Sequence, residues 1–153
     1  MTTGVPEGVS RAPEPVQRLA RAVVERGYAW YPVEMTSPGW GDRLYGARTH
    51  IGEVRIWSHR LSWGVTLGAP GMPVFVDAGV WEACRTGEVL GMARPPIGEQ
   101  VAWLEELLAS RSLPPYEVEC LTRLERERRE QPPANTGLPL AIILITSISL
   151  IVA

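Results

Sequence analysis

The last sixteen residues, 138–153, carry no charge, and ten of them are Leu, Ile or Val. No charged side chain occurs after Glu130. Such a run must be buried, in protein or in lipid, because apolar surface is expelled from water. As a helix rising about 1.5 Å per residue it reaches roughly 24 Å, against a hydrocarbon core of about 30 Å. That is the short end of the membrane-spanning range. Leu138, Leu140, Ile142, Ile143, Leu144, Ile145, Ile148, Leu150, Ile151 and Val152 form the lipid-facing set of this candidate membrane anchor. Thr146, Ser147 and Ser149 weaken insertion without forbidding it, since their hydroxyls bond carbonyls one turn back. The run is also rich in β-branched residues, so a strand or helix buried in the core competes with the lipid reading. An atypical terminus is a third reading.

Upstream, the composition is that of an ordinary soluble domain. The chain has 153 residues and a formal net charge of −2, enough for one core of ordinary size. All fifteen basic residues are Arg, a bias that fits a high-GC coding sequence. The balance leaves no electrostatic footprint for nucleic acid. Residues 1–10 hold no basic residue and no apolar stretch, so no secretory signal is expected. Arg123, Arg126, Arg128 and Arg129 precede the tail. A basic flank favours the inner side of a membrane, so the cytoplasmic face is expected, with a soluble cytoplasmic protein as the alternative.

Residues 1–13 read as a flexible arm, 14–130 as the domain, 131–137 as a Pro-containing linker and 138–153 as the tail. A helix is expected over 14–26, where Val16, Leu19, Ala20, Val23 and Val24 form one stripe and Gly27 stops it. Residues 28–34 suit an edge strand, interrupted by Pro32, and residues 42–48 suit a weak strand. Val54 and Ile56 alternate with Arg55 and Trp57, and Leu61, Trp63, Val65 and Leu67 alternate with polar or small residues. A further strand is expected over 72–76. Asp77 caps a helix over 78–86, stopped by Gly87. Helices over 97–110 and 116–130 follow. The expected class is α+β: a small antiparallel sheet of three to four strands covered by helices, with a C-terminal apolar helix.

No phosphate loop, dinucleotide fingerprint, metalloprotease motif or nucleophile elbow is present. His50, Glu53 and His59 are the nearest approach to a metal set, but nothing in their spacing makes them converge. No metal or cofactor is expected. Cys84 and Cys120 stand 36 positions apart. Their spacing signals no disulfide, and two lone cysteines are commonly small core residues.

The aromatic residues carry the functional expectation. Trp57 shares a parity with Arg55 and so points outward, and Trp40 lies in a Pro-Gly-Trp-Gly loop that closes poorly over an indole. With Tyr45 they make a candidate protein-binding surface of Trp40, Tyr45, Arg55 and Trp57. The expected function is a non-enzymatic interaction domain held at a membrane by its tail. A soluble immunity- or antitoxin-type binding module with the tail in its core is the alternative, and an enzyme of unknown class ranks behind both.

Overall fold

The computed structural model describes residues 4–35, 39, 41–88, 91 and 93–130. The expected linker and the whole apolar tail lie outside the described residues. The fold is α+β: a four-stranded antiparallel sheet and four α-helices, with a short 3-10 helix at the start.

That first turn, Glu7–Arg11, was expected to be part of a loose arm. Instead Val9 is fully buried, and Gln17 Nε2 donates to the carbonyls of Ser10 and Ala12, at 3.1 and 2.7 Å. One apolar side chain in a Pro- and Gly-rich stretch is enough to seat it. Helix α1 (Glu14–Glu25) buries Val16, Leu19, Ala20 and Val23, the stripe read from the sequence.

Strands β1 (Trp30–Pro32), β2 (Arg43–Thr49), β3 (Gly52–His59) and β4 (Ser62–Gly68) form a meander in sequence order. The expected strand over 72–76 is reduced to one bridge, Leu67 to Val76. Pro73 has no N–H to give a ladder, which keeps this segment from pairing further. Both sheet edges are short or partly occupied among the described residues. β1 is three residues long and ends in Pro32. On β4, Val76 occupies the backbone of Leu67, and the buried Gln100 turns its amide oxygen to the N–H of Val65. Short, capped edges discourage pairing with another chain.

Helix α2 (Ala78–Thr86) begins at Asp77, whose carboxylate accepts from the N–H groups of Gly79 and Val80, and ends at Gly87 with φ 73°. Both boundaries agree with the sequence reading. Helix α3 (Ile97–Ala109) buries Val101, Leu104, Leu107 and Leu108, and helix α4 (Val118–Glu130) starts two residues later than expected. Helices α1 and α3 pack together on one sheet face, against Val54, Ile56, Val65 and Leu67. Burying each such side chain contributes about 1.5–3 kcal/mol.

Helix α4 contacts the rest mainly through α2. Cys84 and Cys120 join the two helices in a disulfide, with Cα atoms 6.0 Å apart. The spacing alone had left this open. Arg128 of α4 also reaches Asp77 with two hydrogen bonds, one of 2.9 Å, and both side chains are buried.

The β3–β4 hairpin corrects a second expectation. Alternation placed Leu61 inward with Trp63. Strand pairing instead ends at His59 and Ser62, which leaves Arg60 and Leu61 as a two-residue loop with φ 47° and 67°. Leu61 is 99 % exposed. Two successive left-handed residues match the twist of a tight hairpin, a demand that overrides strand parity.

Candidate functional site

Period-two alternation splits the sheet. Val54, Ile56, Val65 and Leu67 face the helices, and the register therefore puts Leu44, Gly46, Glu53, Arg55, Trp57, Gly64 and Gly68 on the other face. Helices α1 and α3 lie on the first face; among the described residues, the outer face carries the sheet's own side chains and residues of nearby loops.

Three aromatic rings come close to it, each against a strand glycine. A Cβ on Gly46 would come within 2.8 Å of the Tyr31 ring, on Gly64 within 2.1 Å of Trp57, and on Gly68 within 2.6 Å of Phe75. Only glycine permits such close approach. Each ring also has a guanidinium above it. Arg48 is 5.8 Å from the Tyr31 centroid, Arg55 is 3.7 Å from Phe75, and Arg94 is 5.2 Å from Trp57. A cation over a ring contributes about 0.5–1 kcal/mol at an exposed site, more when water is excluded.

Polar contacts fix the set. Tyr31 Oη donates to Glu53 Oε1 at 2.5 Å, and Arg55 Nε donates to the same oxygen at 3.0 Å. Burial first, then the Glu53 carboxylate, push the Tyr31 hydroxyl above its ordinary pKa of 10.0. Asp77 lies at the margin, paired with Arg128 and 3.5 Å from Arg94.

Of the residues expected to bind, Arg55 and Trp57 share this face as parity required. Tyr45 does not join them. It pairs with Ile56 on the helix-facing side and packs against the core, its hydroxyl beside Gly8. Trp40 lies outside the described residues, as do the ten apolar tail residues. Sequence reasoning missed Tyr31, Phe75, Arg48 and Arg94. Their signal was the glycines: a glycine inside a strand marks a bulge or a close approach, and Gly46, Gly64 and Gly68 each take one ring.

The histidine cluster dissolves. His50 sits at one end of β3, where its Nε2 donates to Ser110 O at 2.7 Å, leaving Nδ1 to accept from the Tyr28 hydroxyl at 2.6 Å. His59 sits at the other end, 3.1 Å from Asp42 Oδ2. That contact, with the Gly39 N–H, holds the Asp42 carboxyl below its ordinary 3.8. Among the described residues no three His, Cys, Asp or Glu gather as a metal site. A cleft of about 300 Å³ beside the disulfide, lined by Trp81, Cys84, Tyr116 and Leu121, has Arg85 and Glu117 as its ionisable residues. That is no base–nucleophile pair. Among the described residues no helix is long and apolar enough to cross a membrane.

A scan of protein-family models, a search of curated proteins and a search of solved structures each returned no match. The functional reading therefore rests on this site alone.

Proposed function

We propose that the chain is a non-enzymatic protein-interaction domain that binds through the outer face of its sheet, with residues 138–153 tethering it to a membrane. The carrying observation is the ring-on-glycine arrangement of Tyr31, Trp57 and Phe75 under three arginines. Large rings and arginines in a fixed pose are the side chains that dominate protein interfaces. Because the strand edges are capped, side chains rather than added strand pairing supply the contact.

The reading is tested by a photo-crosslinking residue at Leu44, which pairs with Trp57 across the strands. Crosslinking in cells should give one discrete adduct from Leu44 and none from the exposed Arg26 at the end of α1. Equal adducts from both positions, or none, would sink the binding face. The tether is tested separately. Deleting residues 138–153 should move the protein from the alkaline-washed membrane pellet to the supernatant with its thermal midpoint unchanged, and a chain that unfolds on deletion makes the tail part of the core. The basic flank favours the inner side of the membrane, whereas the Cys84–Cys120 disulfide favours an oxidising compartment. Thiol labelling of intact cells decides between them.

A further inference from the structure

We infer that the outer face takes an acidic protein segment, with Arg48 and Arg94 as the groups that read its carboxylates; this rests on the binding-face reading above. In a chain of formal net charge −2, the guanidinium groups of Arg48, Arg55 and Arg94 lie over the three rings of this face, and Arg128 pairs with Asp77 at its margin. Two carboxylates answer them, and both are already engaged. Glu53 is held by Tyr31 and Arg55, and Asp77, 1 % exposed, is held by Arg128 and its helix cap. Arg48 is exposed and, beyond its interaction with the Tyr31 hydroxyl, has no ion pair among the described residues, and Arg94 keeps 42 % of its side chain open with only a 3.5 Å contact to Asp77. These two therefore have N–H groups to give, in the fork geometry that carboxylates match.

A single-stranded nucleic acid would need bare ring faces for its bases. Here each ring lies against a strand glycine and has a guanidinium within 5.8 Å of its centroid, so a stacking base would compete with an arginine for the ring. The tail of this chain, residues 138–153, carries no side-chain carboxylate for Arg48 and Arg94. An acidic segment with occasional apolar residues satisfies both, carboxylates on the two arginines and apolar groups along the edges of Trp57 and Tyr31.

The test uses the full-length chain in mild detergent and a labelled copolymer of glutamate and tyrosine, followed by fluorescence anisotropy. The copolymer should bind, and its affinity should fall about tenfold or more between about 50 and about 500 mM salt. Arg48→Gln with Arg94→Gln should weaken binding about tenfold while circular dichroism shows the domain still folded, its thermal midpoint lowered only by the loss of two cation–ring contacts. A thymidine oligonucleotide of about 20 residues should not compete. No binding of the copolymer, an oligonucleotide bound as tightly, or a double variant that binds as well as the parent would each overturn the inference. So would self-association in sedimentation that Trp57→Ala abolishes, since a second copy would then own the face. If the arginine variant still binds while Leu44→Ser does not, the face binds protein but not through carboxylates. The acidic partner then falls and the interaction reading stands.

Discussion

Reducing the Cys84–Cys120 bond should weaken the domain by several kcal/mol. The link closes a loop of 36 positions that contains all of α3 and joins α2 to the first turn of α4. In the chain-entropy account, that closure removes about 2.1 plus 1.5R ln 36 from the unfolded state, about 13 cal/mol/K, or about 3.8 kcal/mol at 25 °C. Total stability for a domain of this size is about 5–15 kcal/mol, so the bond decides whether the fold is comfortable or marginal. With a urea slope of about 1–3 kcal/mol/M, the midpoint should drop by about 1–4 M. Urea unfolding followed by circular dichroism, with and without a phosphine reductant, measures it, and Cys84→Ser with Cys120→Ser should match the reduced protein.

Hydrogen exchange adds a local readout. Without the bond, α4 is held by Leu121, 1 % exposed, and by the Arg128–Asp77 pair. Its amides should lose protection before those of the sheet. If oxidised and reduced chains unfold at the same urea concentration, or if the native protein titrates two free thiols, the cross-link does no stabilising in solution and the reasoning fails.

Two further outcomes follow from strain and charge. Arg60→Asn with Leu61→Gly gives the hairpin loop the residues its left-handed angles favour, at φ 47° and 67°. This should raise stability by about 1 kcal/mol, the relief of left-handed strain less the entropy that glycine adds to the unfolded chain, and a lowered thermal midpoint would refute it. Asp42 is held below its ordinary 3.8, first by His59 and then by the Gly39 N–H. A depressed carboxyl contributes stability that is present above the ordinary value and is lost as pH falls through the folded one. The stability gap between the parent and Asp42→Asn should therefore close below about pH 4, and thermal midpoints that differ by the same amount at every pH would remove this contribution.

The elements were legible where a period and a boundary residue agreed. Helix α1 is written in its stripe and in Gly27, and α2 in Asp77 and Gly87, because each cap satisfies backbone groups that no other residue nearby could. Val54 and Ile56 against Arg55 and Trp57 gave the two faces of β3. Parity failed at Leu61 because it holds only as far as the strand does, and the turn geometry overruled it. Tyr45 was misplaced for a related reason. Its strand read weakly, so its side of the sheet was fixed only by pairing with Ile56. The disulfide could not be read, because 36 residues of separation say nothing of distance until α2 and α4 pack. Phe75 and Arg94 joined the site from loops, whose course no local pattern encodes.

What distinguishes the outer face is that it breaks local rules where the core does not ask for it. The helix-facing side of β3 and β4 uses Val54, Ile56, Val65 and Leu67, good strand formers that also fill the core. The opposite side of the same sheet spends Gly46, Gly64 and Gly68. Each glycine weakens a strand by about 0.5–1 kcal/mol relative to alanine. The arginine over each ring returns about the same, and the rings add the apolar area they remove from water. A β-branched residue at Gly64 would suit the strand better but would force the Trp57 ring off the sheet. The glycines thus serve the pose of the rings, held by close contact with the sheet before any partner arrives. Rigid groups lose less entropy on binding. Local rules that give way on this face support the binding surface proposed above.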